Sequence, residues 1–352
     1  MGLSLGIVLV ALAGIVLLLA LAGVLYQKLG TARDLRRHPP PGRLIEVGSH
    51  RLHINCTGEG SPTVVFDAGL PASCVSWQLV QPEIAQLTRV VSYDRAGLGW
   101  SEPGPEPRTS ERIVEELHTL LERAGLEGPY VLVGHSFGSF NVRLFAHRYP
   151  AEVVGLVLVD PIHPREWLEM PPEKKKGLMR AAQMCRHASR LARVGIARLI
   201  AWLVSMRQHG MARWTVMFAF GGALRVGAGE RLVGPARNLP PELGGLLRTF
   251  WTQPKFFRTI ASQLQSLPES AAQVAEAGSL SDLPLVVLSA SNPSAERLAD
   301  QEAAARLSLS GKHLIASNSG HWIQLDQPEL VIHAIRQAVE AARRQRAAQK
   351  VH

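Results

Sequence analysis

The chain has 352 residues, 46% of them hydrophobic, with 38 Lys and Arg against 29 Asp and Glu. That is ample for a sizeable core, and the usual length prior gives about two domains. Composition is ordinary for a globular protein beyond the N-terminus. Cys56, Cys74 and Cys185, an odd number without C-x-x-C spacing, exclude a disulfide framework or zinc site and read as neutral thiols.

Residues 3–26 carry no charge and almost no polar group. A helix of that length crosses a bilayer core of roughly 30 Å, so residues 1–27 read as a transmembrane anchor. A cleaved signal peptide is the competing reading, with Ala20-Leu21-Ala22 as its small-residue site. Against it, no Lys or Arg precedes the apolar run, the run is long, and no polar segment leads into the cleavage site. Lys28, Arg33, Arg36 and Arg37 follow the run, against Asp34 alone. By the positive-inside rule the body of this single-pass membrane protein lies in the cytoplasm. Residues 28–42 read as a basic linker, closing in the stiff run His38-Pro39-Pro40-Pro41-Gly42.

The globular part begins near Arg43. Residues 44–47 and 51–55 pair antiparallel around Gly48-Ser49. Strands are then expected at 63–66, 89–93, 130–133, 154–159, 285–288 and 312–315. An amphipathic helix at 111–124 carries Ile113, Leu117, Leu120 and Leu121 on one face, and a long helix closes the chain from Pro328. Apolar strands alternating with helices predict an α/β fold, a parallel sheet covered on both faces. Residues 43–163 and 281–352 supply it. Between them, 164–280 read as a helical insertion with 17 Lys and Arg against 7 Asp and Glu, which accounts for the whole chain's net charge of +9. No internal repeat and no nucleic-acid motif is visible.

The sharpest motif is Gly134-His135-Ser136-Phe137-Gly138. The run Tyr130-Val131-Leu132-Val133 before it reads as a buried strand, and a helix stopped by Pro150 follows. Strand, sharp turn and helix make G-x-S-x-G a nucleophile elbow, with Ser136 lifted above the sheet. A serine hydroxyl needs an adjacent base, held in the right tautomer by a carboxylate. Of 13 histidines, His321 has the right place, after the last strand and before the closing helix. The acid is less obvious. The loop after the strand at 285–288 has no aspartate near the strand end; Glu296 and Asp300 come later. Asp160, directly after the strand at 154–159, lies at the sheet edge where such groups collect and is preferred. For the oxyanion, two backbone N–H groups are needed: those of Phe137 and Leu70. Pro71 has no N–H.

These residues carry a resemblance. Gly134-His135-Ser136-Phe137-Gly138, Tyr93-Asp94-Arg95-Ala96-Gly97-Leu98-Gly99-Trp100-Ser101, residues 155–160 and Gly320-His321 resemble the α/β-hydrolase fold family with a helical cap, over about 43–345 apart from the cap. The chain departs from the family pattern twice. The usual His-Gly of the oxyanion loop is Ala68-Gly69, and the acid has moved to the earlier strand, as in haloalkane-dehalogenase-like members. Those use an aspartate nucleophile, whereas serine points to ester chemistry. The resemblance implies a Ser-His-Asp acyl-enzyme mechanism with no metal or organic cofactor and a small-molecule ester as substrate, with a lipid ester among the candidates. An amide or peptide hydrolase, a cofactor-free lyase or perhydrolase, and a catalytically silent membrane-bound binding protein are the alternatives. The cap run from Lys174 mixes Arg180, Arg186, Arg190, Arg193 and Arg198 with apolar residues, as a helix at a lipid surface does. An ordinary solvated basic face is the competing reading. Trp214, Phe218 and Phe220 are candidates for an acyl pocket or for cap core.

Overall fold

A computed structural model of the chain describes residues 2–206 and 243–349. Its strands are β1 Arg43–Glu46, β2 Arg51–Thr57, β3 Thr63–Asp67, β4 Val90–Tyr93, β5 Tyr130–His135, β6 Val153–Val159, β7 Leu285–Ser289 and β8 Gly311–Ile315. They form one sheet in the order β1-β2-β4-β3-β5-β6-β7-β8. The β1/β2 and β2/β4 pairs are antiparallel; every other pair is parallel. The described helices, in chain order, are α1 Gly2–Arg37, α2 Gln81–Ala85, α3 Ser110–Arg123, α4 Gly138–Arg148, α5 Arg165–Leu168 and α6 Pro172–Arg193. They continue as α7 Ile196–Met206, α8 Gly244–Trp251, α9 Pro254–Ala275, α10 Ala295–Ala305, α11 Ile323–Asp326 and α12 Pro328–Gln349.

The central strands are apolar throughout because both of their faces are covered. Successive side chains alternate between the faces. Leu132, Leu156, Leu158 and Val287 join one core with Leu117, Leu120 and Phe145 of α3 and α4. Val133, Val157, Val159 and Leu288 join the other with Ile84, Trp77, Val331 and Ile335, under α2 and α12. The four apolar residues expected on one face of α3 are all buried. Between β6 and β7 every described element is a helix, as the pattern at 164–280 implies. Trp214, Phe218 and Phe220 lie outside the described residues.

The N-terminus differs from its reading. Helix α1 does not end near residue 27 but runs to Arg37, through most of the expected linker. Its polar end is held by the body. The Gln27 amide donates to the Thr252 carbonyl at 3.1 Å, and Arg198 pairs with Asp34. Beyond the helix, Trp100 Nε1 donates to the His38 carbonyl at 2.9 Å, so the proline run starts from a fixed point. Among the described helices α1 is long and apolar enough to cross a membrane, with a mean hydropathy of 3.1 over a window that is not buried at all.

The turn before α3 depends on a buried ion pair. Arg108 donates to both carboxylate oxygens of Glu116, at 2.6 and 2.5 Å. Burial alone would push the Glu116 carboxyl up, but Arg108 and His50 outweigh it and hold the group below the usual range. Removing one partner strands a buried charge, which costs about 3–5 kcal/mol. Arg108→Met is therefore expected to lower stability by roughly that amount. Arg108→Met combined with Glu116→Leu recovers most of it. Unfolding midpoints in detergent check both; equal losses in the single and double variants contradict the assignment.

Candidate active site

The elbow is built where β5 meets α4. Ser136 sits between them with φ 51°, a left-handed conformation that L residues rarely adopt. Its N–H donates to the Val159 carbonyl at 3.0 Å, and its own carbonyl accepts from the Ser139 hydroxyl at 2.5 Å. The flanking glycines are required sterically. A Cβ on Gly134 would lie 2.6 Å from the Gly138 carbonyl oxygen, and one on Gly138 would strike the Asp67 carbonyl.

Asp160 leaves the end of β6 with φ 42°, its N–H donating to the Leu288 carbonyl at 2.7 Å. Its carboxylate meets His321 Nδ1 at 2.5 Å. A carboxylate can only accept, so Nδ1 carries a proton, and in the neutral imidazole Nε2 is then the nitrogen with the lone pair. Arg297 donates to the same carboxylate oxygen at 2.8 Å, and Gln301 donates to the other at 2.7 Å. Burial alone would raise the Asp160 carboxyl. The hydrogen bond and charge of His321, then Arg297 and Gln301, outweigh it and keep the group ionised well below the ordinary carboxylate range. The other candidate acids on α10 turn elsewhere. Asp300 accepts from Arg165 at 2.6 Å, and Glu296 lies 4.0 Å from the same guanidinium.

His321 follows β8 on a turn that Asp326 ties by accepting from the Gly320 N–H at 2.8 Å. Its backbone is also clamped to the elbow. His135 Nε2 donates to the His321 carbonyl at 2.9 Å, and the two rings lie 4.7 Å apart. Burial, then the neighbouring His321, pushes the His135 imidazole well below its usual range, so it stays neutral.

The loop after β3 approaches the same point. A Cβ on Gly69 would lie 2.6 Å from His135 Nδ1 and 3.1 Å from Ser136 Cβ. Arg95 fixes this loop. It donates to Asp67 Oδ1 at 2.5 Å, to the Gly69 carbonyl at 2.9 Å, and to the Ala68 carbonyl. Tyr93 and Asn141 hold the other oxygen of Asp67 at 2.8 and 2.9 Å. A trans peptide points its C=O and N–H in opposite directions. With the Gly69 carbonyl on Arg95, the Leu70 N–H points away from Arg95. No acceptor meets that N–H, or the N–H of Phe137, among the described residues. Beside Leu70, Pro71 and Val75 meet Leu247, Phe250, Trp251 and Phe256 of the insertion around an apolar hollow.

His53, Cys74 and Asp94 bring ligand-type atoms within 4.8 Å of one another. Their bonding suits a brace better than a metal. Asp94 already accepts from the Cys74 and Trp100 N–H groups at 2.8 and 3.0 Å and from His53 at 3.0 Å. Burial, then Asp94, pushes the Cys74 thiol far up, away from the thiolate a metal needs.

Sequence reasoning named Ser136, Phe137, Leu70, Asp160 and His321, and missed Arg95, Asn141, His135, Arg297 and Gln301. Arg95 was visible only as part of a fold motif. Arg297 and Gln301 are four apart and share a helix face, but nothing in the chain says which face meets Asp160.

Comparisons with known proteins bear on the family and the fold. Residues 64–334 match the alpha/beta hydrolase family. The haloalkane dehalogenase of Sphingobium indicum is 31% identical over 138 residues, 38% of this chain and 46% of that protein. The uncharacterized protein YqjL of Bacillus subtilis is 36% identical over 104 residues, 30% of this chain and 41% of that protein. The chain spans at most half the length of the curated relatives it first matches. A thermophilic esterase from Thermogutta terrifontis superposes with a TM-score of 0.62 at 22% identity, covering 86% of this chain and 99% of that one. An eight-stranded, mostly parallel sheet, a serine elbow after its fifth strand and a match over most of the length lead to one conclusion: the chain belongs to the alpha/beta hydrolase family.

Proposed function

We propose that this hydrolase cleaves carboxylic esters, apolar ones in particular, through an acyl-serine intermediate, and that α1 anchors it to a membrane with the catalytic body in the cytoplasm. The observation that carries the chemistry is the strained Ser136 on an elbow whose His135 is hydrogen-bonded to the backbone of His321, the histidine whose Nδ1 is held by buried Asp160. Ser136 Oγ attacks the ester carbonyl carbon while His321 Nε2 takes its proton. The tetrahedral oxyanion accepts from the Phe137 and Leu70 N–H groups. The C–O bond to the alcohol then breaks, and His321 returns the proton to the leaving oxygen. Water repeats the sequence, with His321 as base, and releases the acid. Asp160 holds the ring and balances its charge. A serine nucleophile supports ester over carbon–halogen chemistry, and the apolar side chains that the insertion sets near the β3 loop, Leu247, Phe250, Trp251 and Phe256, support an apolar substrate. The anchor reading rests on the unburied apolar run of α1, continuous with a docked end.

Ser136→Ala is expected to abolish labelling by a fluorophosphonate probe; labelling that survives the substitution sinks the serine mechanism. Asp160→Asn should lower kcat by about 10⁴-fold, as when the base is left in the wrong tautomer. Asp300→Asn should leave it almost unchanged. If only Asp300→Asn abolishes turnover, the acid is misassigned.

Arg297 gives a pH prediction. Asp160 stays ionised throughout the working range, so the acid limb of kcat/KM reports His321. A cation on the same carboxylate oxygen weakens the stabilisation of the imidazolium. Arg297→Gln therefore raises the basicity of His321 and moves the acid limb to higher pH. A profile that stays put or moves to lower pH contradicts this role.

A further inference from the structure

The span and the cap are locked together. The turn between α6 and α7 crosses α1 in backbone contact. A Cβ on Gly23 would strike the Val194 carbonyl, and one on Gly195 would lie 2.8 Å from the Tyr26 ring. Arg198 of α7 reaches back along α1, pairing with Asp34 and donating to Gln27 at 3.4 Å and Thr31 at 3.2 Å. Gly30 is small where that guanidinium passes. The contacts begin at Gly23, in the last turn of the apolar run of α1, so the cap meets the helix near the level where it leaves the hydrocarbon.

Helix α7 presents an apolar face there. At 3.6 residues per turn, Trp202, Leu199, Leu203 and Ile200 fill a contiguous arc of about 160°. Their exposures are 50%, 46%, 50% and 41%, whereas Ala201 on the other side is buried. Leu191, at the end of α6, adds a further exposed apolar side chain. Arg190 and Arg193 beside it are also exposed. Leu25 and Leu29 of α1, 57% and 62% exposed, carry the apolar surface along the span itself.

We propose that α7 is a second membrane contact: Leu199, Ile200 and Leu203 embed in the leaflet that α1 leaves, with Arg190 and Arg193 among its headgroup phosphates. The proposal rests on the reading of α1 as a membrane span. A bilayer is the occupant because the face adjoins that span, is rigidly tied to it, and pairs apolar side chains with cations as interfacial helices do. The cap is thereby held at the lipid surface, and an ester dissolved in the bilayer reaches the site without crossing bulk water.

The test uses the full chain in nanodiscs that include anionic lipid. Cys56, the exposed thiol, is replaced by serine; Cys74 and Cys185 are buried and do not label. Single cysteines at Leu12, Leu199, Leu203 and Leu309 carry an environment-sensitive fluorophore. Leu309 is 92% exposed just before β8, at the sheet edge opposite the site, and serves as the aqueous reference. With spin-labelled lipid, positions 12, 199 and 203 are expected to lose most of their emission and shift to the blue, while position 309 keeps its own. If 12 is quenched but 199 and 203 behave like 309, the docking surface is wrong and the anchor stands. If 12 is not quenched, both fall. Quenching does not depend on turnover, so failure of the serine mechanism shows separately, as absent fluorophosphonate labelling with this pattern intact.

Discussion

The site depends on one buried carboxylate. Asp160 is delivered by β6 in a left-handed backbone conformation and is 2% exposed. A charge in that position costs several kcal/mol unless its lone pairs are filled. His321, Arg297 and Gln301 fill them, and the Ala290 N–H adds a longer contact at 3.4 Å. Those partners come from the β8–α11 turn, from α10 and from the end of β7, so satisfying Asp160 also draws these elements together. In the proposed reaction the cost has a use. The carboxylate orients His321, and Arg297 divides its charge so that the imidazole is not made too basic to release its proton.

The oxyanion side of the proposed site follows similar logic with backbone groups. Arg95 takes the carbonyls of Ala68 and Gly69, which turns the intervening amides the other way. Asp67 balances Arg95, and Asn141 reaches Asp67 from α4, the helix that the elbow itself starts. The loop and the elbow therefore share one buried network, and neither can shift alone. Dipoles set in place during folding need no reorganisation when charge develops on the substrate, which is why such sites are effective.

Much of this was legible in the chain. The parallel strands read as apolar runs because both faces are covered, and the elbow showed itself through glycines that steric contact requires. His321 was legible by topology, as the histidine after the last strand. What was not legible shares a cause. Arg95, Arg297 and Gln301 act through contacts from distant segments, and their residue types suit a solvated surface equally well. The extent of α1 was misread for a related reason: Lys28 to Arg37 looks like a basic linker in isolation, but Asp34, Thr31 and Gln27 face Arg198, which lies more than a hundred and sixty positions away. The family assignment fixes the scaffold, whereas the chemistry must come from the site, since relatives on this scaffold include a haloalkane dehalogenase and a 2-hydroxymuconate semialdehyde hydrolase.

The central claim is that oxygen from Ser136, and not from a protein carboxylate, forms the covalent bond to the substrate. A single turnover of an ester in H₂¹⁸O, with enzyme in excess, separates the two directly. Hydrolysis of an acyl-serine places the heavy oxygen in the released acid and leaves the protein unlabelled. Attack by an aspartate, followed by water at the aspartyl carbonyl as in a covalent aspartyl-ester mechanism, sends an unlabelled carboxylate oxygen into the product and the heavy oxygen into the protein. Mass spectrometry of product and peptides is predicted to find the label in the acid alone; label in a carboxylate peptide, with an unlabelled product, contradicts the account.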